Sequence, residues 1–306
     1  MILTVTCNPA LDMTYSVDRL VPGQVHRVKE VVERAGGKGV NVARVLHQLG
    51  EPVHALGLGD SSFGPSLAEL GIRASFLDVM ARLRRTLVVQ GEETTSLWEP
   101  GSPVPADAAD SLVELVGTAL PGARALVVSG SLPPGVPAGL PGRLAGLAHD
   151  AGVPVVLDLD GAALQAALER GGAILTPNLD ELRTLTDTRD SDLLPTVKHL
   201  ADVNGAPVVL TLGERGLLAV TEDGCWLVTP PERVEGNPTG AGDATNAGIA
   251  LGLAHGLAWP ELLCRAVALG AAAVRRPVAG EVDLSAYASF TASVRAQRVD
   301  AMTFGD

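Results

Sequence analysis

Lysine is scarce in this chain of 306 residues, in which only Lys29, Lys38 and Lys198 occur. Lysine and arginine together number 23 against 35 acidic residues, so the formal net charge is −12. This balance argues against a general nucleic-acid or anionic-membrane surface, and we expect neither partner. An anionic substrate would then need local cations, which makes a lysine within a glycine-rich motif a candidate for function.

Cysteines are few, and long apolar runs are missing. Cys7, Cys225 and Cys264 are odd in number, widely spaced and without histidine partners at metal-ligand spacing. The first residues lack a basic region and a long apolar run, so we expect no secretory signal. No uncharged apolar stretch is long enough to cross a bilayer. These features predict buried thiols in a reducing cytoplasm.

The composition and the hydrophobic pattern predict an α/β fold. Hydrophobic residues make up 46% and charged residues 19% of the chain, which is typical of one compact α/β domain with an appendage. Short β-branched runs alternate with Ala- and Leu-rich helical stretches, as in βαβ winding around a mostly parallel sheet flanked by helices. The predicted core strands cover residues 2–7, 53–58, 125–129, 153–159, 173–176 and 208–212.

Two segments break this pattern. Residues 12–32 and 82–98 alternate polar and apolar side chains, which predicts half-exposed antiparallel strands and not core strands. We expect these segments to form a small β-sheet that lies over the site as a lid. The Pro- and Gly-rich residues 99–103 would return the chain to the core.

A glycine turn before a small, apolar helix is the strongest candidate site. Gly240, Ala241, Gly242 and Asp243 open that helix, so free backbone N–H groups would point outward and attract an anion. Asp243 would stand at the rim, where a carboxylate can accept a proton from a substrate hydroxyl. This arrangement suits phosphoryl transfer to an alcohol. The alternative is a tight turn in which Asp243 only caps the helix.

A second glycine cluster contains one of the three lysines. Gly36, Gly37 and Gly39 surround Lys38, and Asn41 follows at the start of a predicted helix. Glycine backbone can approach a ligand closely, while Lys38 offers a cation and Asn41 an amide. The simpler alternative is a flexible loop with a solvated lysine.

Further polar residues follow predicted core strands, and ligands of open α/β sheets bind outside the carboxyl ends of the strands. Ser131 and Asn178 lie at two such exits, and Glu181 comes three residues after Asn178. Asn178 and Glu181 could hold a hydrated Mg²⁺. Equally well, Asn178 could be a helix N-cap and Glu181 its capping-box partner.

Two more strand exits carry weaker signals. Thr211, Gly213 and Gly216 lie at the end of a predicted strand, where the glycines would let the phosphates or ribose of a nucleotide come close. Asp12 follows the first strand and could bind sugar hydroxyls, or it could be an ordinary turn aspartate.

Taken in order, these motifs resemble the ribokinase-like carbohydrate kinases of the PfkB family. Within that family the chain is most similar to the branch that contains 1-phosphofructokinase and tagatose-6-phosphate kinase, which share Asn-Pro-Ala near the start and Ser-Gly-Ser-Leu-Pro in the middle. The matching segments span almost the whole chain and are Asn8-Pro9-Ala10-x-Asp12, residues 36–43, residues 129–133, Asn178-x-x-Glu181, Thr211-x-Gly213-x-x-Gly216 and Gly240-Ala241-Gly242-Asp243.

The resemblance implies one ribokinase-like kinase domain over residues 1–306, with a β-sheet lid and a homodimer formed through the lids. It implies that Asp243 is the catalytic base and that Gly240, Ala241 and Gly242 shape an anion hole over the γ-phosphate. The implied ATP-binding residues are Asn178, Thr211, Gly213 and Gly216, and the implied Mg²⁺-positioning residues are Asn178 and Glu181. The implied contacts to the sugar or its phosphate are Asp12, Gly37, Lys38, Asn41 and Ser131.

Departures from the family pattern fall where the substrate is selected. Members of this branch carry an Arg followed by an Asn in the lid strand, whereas Thr86 stands here in place of the Asn. Trp98 also stands where relatives often have Asn, while Arg82, Arg84 or Arg85 could give a sugar phosphate a bidentate contact. Relatives bind a monovalent cation through the loop that corresponds to residues 275–280, and the sequence leaves that requirement open.

The sequence therefore predicts a cytoplasmic, ATP- and Mg²⁺-dependent kinase of a ketohexose phosphate, with tagatose 6-phosphate or fructose 1-phosphate as acceptor. A kinase for an unphosphorylated sugar, cyclitol or nucleoside is the first alternative, with the lid arginines serving only as surface charges. A non-catalytic sugar-phosphate sensor is the second alternative. The presence of Asp243, its neighbouring glycines, Asn178 and Glu181 disfavours the sensor.

Overall fold

A central sheet of ten strands and a smaller sheet of four organise the chain, whose computed structural model describes residues 1–186, 189 and 192–300. The strands are β1 (Ile2–Thr6), β2 (Ala10–Ser16), β3 (Glu30–Gly36), β4 (Val53–Gly59), β5 (Arg73–Asp78), β6 (Arg84–Gln90), β7 (Thr94–Trp98), β8 (Ala125–Ser129), β9 (Val155–Asp158), β10 (Ile174–Leu175), β11 (Val208–Thr211), β12 (Leu217–Thr221), β13 (Gly224–Val228) and β14 (Ala296–Arg298). The helices are α1 (Lys38–Gln48), α2 (Phe63–Ala68), α3 (Ala108–Ala119), α4 (Leu140–Asp150), α5 (Gly161–Arg170), α6 (Leu179–Thr186), α7 (Leu193–Asn204), α8 (Ala241–Ala254), α9 (Trp259–Val274) and α10 (Leu284–Ser293). None of the helices within these ranges is long and apolar enough to cross a membrane.

Buried parallel strands form the middle of the large sheet, whose order is β14-β13-β12-β11-β10-β9-β8-β1-β4-β5. Neighbours from β11 to β5 are parallel, and β12, β13 and β14 continue the sheet antiparallel. Every residue of β1, β4, β8 and β9 is buried, as expected for a sheet flanked by helices. The six predicted core strands are all present, whereas β5, β12, β13 and β14 lie outside the prediction.

The four-stranded sheet is the lid, and its order is β3-β2-β6-β7. Strand β2 pairs antiparallel with β3, and β6 pairs antiparallel with β7. The central pair, β2 and β6, is parallel. The prediction of purely antiparallel lid strands is therefore wrong for this pair, because the two strands belong to separate excursions that leave the core in the same direction.

The first lid segment is also less regular than predicted. Strand β2 begins at Ala10, and residues 17–29 form no strand before β3 starts at Glu30. Pro22 and Gly23 interrupt the alternating pattern there. Val25 is 94% exposed, so the alternation around it does not build a buried face.

Helices α8 and α9 pack closely because small residues face each other. A Cβ atom added to Gly248 would lie 2.5 Å from the Cα atom of Ala266, and one added to Gly252 would lie 2.4 Å from the Cγ atom of Leu262. Almost all of α8 is buried, which its small and apolar composition allows. This contact fixes the N-terminal end of α8, where Asp243 lies.

We expect Gly248→Ala to lower the free energy of unfolding by about 1–3 kcal/mol, because the added methyl group overpacks the α8–α9 contact. Gly117→Ala is the matched control. Gly117 lies within α3, where an added Cβ meets no atom within 4 Å, so the helix propensity of alanine should stabilise the protein by roughly 1 kcal/mol. Denaturant unfolding followed by circular dichroism measures both variants. A stabilising Gly248→Ala would contradict the close packing.

Candidate active site

A cavity of about 1090 Å³ opens at the carboxyl ends of the parallel strands, beneath the lid. Strand ends, the inner face of the lid and the N-terminal ends of α1, α6 and α8 form its walls. The predicted site residues that line it are Asp12, Gly37, Lys38, Asn41, Arg84, Ser131, Asn178, Glu181, Thr211, Gly213, Gly216, Gly240, Ala241, Gly242 and Asp243. The fold thus gathers motifs from the whole length of the chain.

Asp243 lies in the first turn of α8 and is 6% exposed. The preceding turn needs a left-handed backbone at Gly240 (φ +86°), where a Cβ would also lie 2.8 Å from the Cα atom of Ala279. Asn41 Nδ2 donates a hydrogen bond to Asp243 Oδ2 at 2.9 Å. Burial, reinforced by the charge of Asp158, raises the pKa of the Asp243 carboxyl to about 7. A carboxylate with this pKa suits a general base near neutral pH.

Lys38 is the first residue of α1, and carboxylates surround its ammonium group. Lys38 Nζ donates a hydrogen bond to Asp158 Oδ1 at 2.9 Å and lies 3.8 Å from Glu181 Oε1. Ser129 Oγ donates to Asp158 Oδ2 at 2.7 Å. Burial alone would lower the pKa of Lys38, but the charges of Asp158 and Glu181 outweigh it and raise that pKa. Lys38 is therefore a fixed cation in the cavity.

The start of α8 presents backbone N–H groups to the cavity. The Ala241 N–H donates to the carbonyl oxygen of Pro238 at 3.1 Å, whereas the Gly242 and Asp243 N–H groups have no acceptor in the described part of the chain. A Cβ on Gly242 would meet no atom within 4 Å, so this position is open. The N–H groups of Gly242 and Asp243 are therefore free to bind an anion. The resemblance implies the pair Ala241 and Gly242, but the N–H group of Ala241 already has an acceptor.

Asn178 and Glu181 bond to each other in the way that the helix-capping interpretation of their spacing predicts. The Asn178 N–H donates to Glu181 Oε2 at 2.8 Å, and the Glu181 N–H donates to Asn178 Oδ1 at 2.9 Å. These reciprocal bonds form a capping box at the start of α6. The other carboxylate oxygen, Glu181 Oε1, still faces Lys38. Burial raises the pKa of the Glu181 carboxyl, which is the effect expected of an acid placed in a shielded site.

The turn after β11 brings backbone to the opposite wall of the cavity. Residues Gly213–Arg215 form one turn of 3-10 helix, and the Leu212 N–H donates to the Gly216 carbonyl oxygen at 2.8 Å. A Cβ on Gly216 (φ +89°) would lie only 2.0 Å from the carbonyl oxygen of Val228. Only glycine fits at this close contact with β13. At Gly213, by contrast, an added Cβ would meet no atom within 4 Å, so the cavity is open beside that residue.

The inner face of the lid carries one row of residues across its four strands. In register order this row is Arg34, Asp12, Thr86 and Trp98, and all four line the cavity. Thr86 Oγ1 donates a hydrogen bond to Asp12 Oδ1. Thr86 thus orients Asp12, and burial raises the pKa of that carboxyl.

Arg84 brings a lid guanidinium group to the cavity, and Arg82 does not. Arg84 lines the cavity, and its Nε donates to the carbonyl oxygen of Asn8 at 3.2 Å. Arg82 precedes the first residue of β6 and is absent from the cavity walls. It pairs with Glu99 at 2.8 Å, with 64% of its side-chain surface exposed. Its position therefore gives no support to the expected substrate contact.

Sequence patterns do not single out several charged residues of the cavity, among them Asp158 and Arg34. Asp158 ends β9, and an acidic residue at the carboxyl end of a predicted parallel strand is a signal that could have identified it. Arg34 belongs to no motif. Only its register beside Asp12 brings it to the cavity, where it pairs with Glu281 of the loop after α9.

The loop between α9 and α10 connects the lid with the start of α8. Gln90 Nε2, at the end of β6, and Asn237 Nδ2, before α8, both donate to the Pro277 carbonyl oxygen at 2.8 Å. The ion pair between Arg34 and Glu281 adds a second link to the lid. The predicted cation-loop residues 275–280 thus touch both sides of the cavity.

Comparison with known proteins agrees with this geometry. The model of the pfkB family carbohydrate kinases matches residues 6–285. Two structures of phosphofructokinase-2 from Escherichia coli are similar to this chain. The structure in complex with potassium has a TM-score of 0.88 and 29% sequence identity, and the match covers 95% of this chain and 98% of that chain. The structure in complex with fructose-6-phosphate has a TM-score of 0.85 and 30% sequence identity, with the same coverage of both chains. A possible 1-phosphofructokinase from Thermotoga maritima is also similar, with a TM-score of 0.89 and 26% sequence identity over 98% of this chain and 100% of that chain.

Ribokinase from Arabidopsis thaliana, solved with ribose and ATP, shares the fold at greater sequence distance (TM-score 0.73, 21% identity, 95% of this chain and 98% of that chain). The family match covers more than half of the chain. The large, mostly parallel sheet of this chain and its small lid form the ribokinase-like fold. The chain therefore belongs to the PfkB family of carbohydrate kinases.

Proposed function

We propose that the chain transfers the γ-phosphate of ATP to a hydroxyl group of a ketohexose phosphate, tagatose 6-phosphate or fructose 1-phosphate, giving a hexose bisphosphate and ADP. The buried Asp243 at the start of α8, facing the same cavity as Lys38 and Arg84, carries this proposal. A base, an anion-binding helix start and cations for a second anionic group are what such a reaction needs. The complex of the Escherichia coli relative with fructose-6-phosphate supports a phosphorylated hexose as acceptor.

Asp243 acts as the general base. Asn41 holds Oδ2, which leaves Oδ1 to take the proton of the acceptor hydroxyl while its oxygen bonds to the γ-phosphorus and the bond to the β-phosphate oxygen breaks. The N–H groups of Gly242 and Asp243 and the dipole of α8 stabilise the negative charge of the transferring group. Such transfer depends mainly on positioning and electrostatics.

The nucleotide occupies the side of the cavity opposite the lid. Thr211, Gly213 and Gly216 line that side, and the close backbone of the turn leaves space for ribose and phosphates. The acceptor lies beneath the lid, where Asp12 and Asn41 bind its hydroxyl groups. Further acceptor contacts come from Gly37, Lys38, Arg84 and Ser131.

Mg²⁺ fits this site as a companion of the nucleotide phosphates. In the described ranges, no cluster of three or more His, Cys, Asp or Glu residues is arranged to hold a metal ion. Mg²⁺ in nucleotide sites needs only one or two carboxylates, together with water and phosphate oxygens. Glu181 Oε1 supplies such an oxygen, and Asn178 positions Glu181 through the capping box. The ion would neutralise phosphate charge.

The outer face of the lid supports a homodimer formed through the lids. Val31 and Leu97 are 53% and 57% exposed there, and the strands that carry them, β3 and β7, are the open edges of the lid. Pairing with a second copy would cover both features. We propose a cytoplasmic location for the enzyme. A relative is known in complex with potassium, so we also propose residues 275–280 as the region that a monovalent cation would bind.

The first experiment is ADP release from Mg-ATP with tagatose 6-phosphate, fructose 1-phosphate, fructose 6-phosphate and the free sugars. We expect turnover with a ketohexose phosphate and a loss of about 10²–10⁴-fold in kcat for Asp243→Asn, because the amide cannot accept the proton. Asp150→Asn, an exposed aspartate at the end of α4, is the control. Turnover with free sugars alone would support the sugar-kinase alternative, and an active Asp243→Asn would refute the mechanism.

The pH dependence should report the buried base. Because Asp243 must be deprotonated and its pKa is raised to about 7, kcat/KM should rise with pH through neutrality and level off above it. Asp158→Asn removes a negative charge that helps to raise this pKa, so the midpoint should move to lower pH. Substrate titration is common to both enzymes, so the difference isolates the protein group. A midpoint that stays put or moves upward in Asp158→Asn would contradict this assignment.

Arg84→Gln and Arg82→Gln form a matched pair that tests how the acceptor phosphate is bound. Loss of a charge-assisted hydrogen bond should raise the acceptor KM of Arg84→Gln by roughly 10- to 100-fold. Arg82→Gln should leave it within about twofold, because an exposed ion pair contributes little. Steady-state kinetics with saturating ATP measure both. Equal effects would show that Arg84 has no special role.

A further inference from the structure

Asn8 is a buried residue outside the cavity whose side chain and main chain each hold a group inside it. It lies between the last residue of β1 in the large sheet and the first residue of β2 in the lid, and it is 5% exposed. It is absent from the cavity walls, so it can act on a ligand only through other residues.

The parallel register of β1 and β8 brings Asn8 beside Ser131. Val5 of β1 pairs with Val128 of β8, and Asn8 and Ser131 each follow three residues later. Asn8 Nδ2 donates a hydrogen bond to Ser131 Oγ at 3.0 Å. Because Ser131 lines the cavity, this bond joins the buried amide to the site.

The direction of this bond decides what Ser131 can offer a ligand. An amide nitrogen only donates, so Ser131 Oγ is the acceptor. The single hydroxyl hydrogen of Ser131 finds no acceptor in the described part of the chain. The hydroxyl group is therefore left to donate into the cavity, and a charged oxygen is the acceptor that binds such a donor most strongly.

The loop after β7 packs directly on the amide of Asn8. A Cβ added to Gly101 would lie 2.3 Å from Asn8 Oδ1 and 2.9 Å from Pro133 Cβ. Asn8 Oδ1 is buried and has no hydrogen-bond partner within the described ranges. A buried amide oxygen without a donor is destabilising, so what this side chain contributes is the bond that its Nδ2 atom donates to Ser131.

The main chain of Asn8 orients a second donor, Arg84. Arg84 is the first residue of β6, and its Nε donates to the Asn8 carbonyl oxygen at 3.2 Å. Among the described residues, no hydrogen bond or ion pair engages the two terminal nitrogens of Arg84. These nitrogens remain available for a bidentate contact with a phosphate. Because both bonds end on atoms of one residue, the donors Ser131 and Arg84 are kept close together.

We propose that Asn8 is a positioning residue for the phosphate group of the acceptor. Its amide directs the Ser131 hydroxyl group to donate to that phosphate, and its carbonyl oxygen turns the terminal nitrogens of Arg84 toward the same group. This inference rests on the proposed function, in which the acceptor is a ketohexose phosphate. It gives the lid and the large sheet one shared anchor beside the acceptor.

A double-mutant cycle of Asn8→Leu and Ser131→Ala tests this role through the acceptor KM at saturating ATP. Leucine resembles asparagine in shape but donates no hydrogen bond, so Asn8→Leu should raise the acceptor KM about 10-fold. In the Ser131→Ala background the same substitution should change it by less than about twofold, because the group that Asn8 orients is gone. The KM for ATP and kcat should stay within about twofold in Asn8→Leu, since Asn8 contacts neither the nucleotide side of the cavity nor Asp243.

Asn8→Asp tests the direction of the bond. A carboxylate only accepts, so the Ser131 hydrogen would turn toward it and the Ser131 oxygen would present lone pairs to the phosphate. In the Ser131→Ala background the substitution adds only its charge. We expect the rise in acceptor KM to be about 10-fold larger in the background that retains Ser131. Equal rises in both backgrounds would overturn the proposal.

Thr4→Val is the matched control for a change in this region. Thr4 is fully buried within β1, and its hydroxyl group has no partner in the described part of the chain, so the acceptor KM should stay within about twofold. Should Asn8→Leu not fold, Asn8→Ala repeats the cycle.

Failure of this inference differs from failure of the proposed function. If Asn8→Leu raises the acceptor KM by the same factor with and without Ser131, its effect is structural, and the role of Asn8 is refuted while the kinase activity stands. If the wild-type protein turns over none of tagatose 6-phosphate, fructose 1-phosphate and fructose 6-phosphate, the proposed function itself is refuted.

Discussion

The burial of one carboxylate, that of Asp243, is the constraint on which the site depends. A buried carboxylate is unstable unless dipoles, hydrogen bonds or cations offset its loss of water. Here the start of α8 points at it, Asn41 donates to it, and Lys38 supplies a cation nearby. The close contact of α8 with α9 allows the helix start to be held this deep. The proposed catalytic base is thus positioned by packing between helices, away from the cavity itself.

The charges around Asp243 show why one lysine matters in a protein of net charge −12. Lys38 is held between Asp158 and Glu181, so its single positive charge balances only one of these two carboxylates. An incoming polyphosphate would still meet several carboxylates, which favours a nucleotide that brings a divalent cation with it. Three arginines line the cavity. Arg34 and Arg84 lie in the lid, whereas Arg233 lies in the loop before α8 and pairs with Glu214.

Local signals explain which features the sequence could predict. The six core strands are mostly apolar because both their faces are covered, and several motif residues follow the ends of these strands. Strands β12 and β13 extend the sheet in the antiparallel direction and are only partly buried, so they lack the continuous apolar pattern of the core strands. Which of Arg82 and Arg84 enters the cavity depends on the residue at which β6 begins. The hydrogen bond from the Ala241 N–H to the Pro238 carbonyl oxygen depends on the shape of the turn before α8. Neither is visible in composition or spacing.

The lid and the start of α8 are held by the same loop. Pro277 accepts hydrogen bonds from Gln90 of the lid and from Asn237 before α8, and Glu281 pairs with Arg34 beside Asp12. A displacement of the lid strands must therefore strain the loop that packs against Gly240. Since in-line transfer requires acceptor and phosphate to be aligned within fractions of an ångström, a common support for both partners is a direct way to keep their distance fixed.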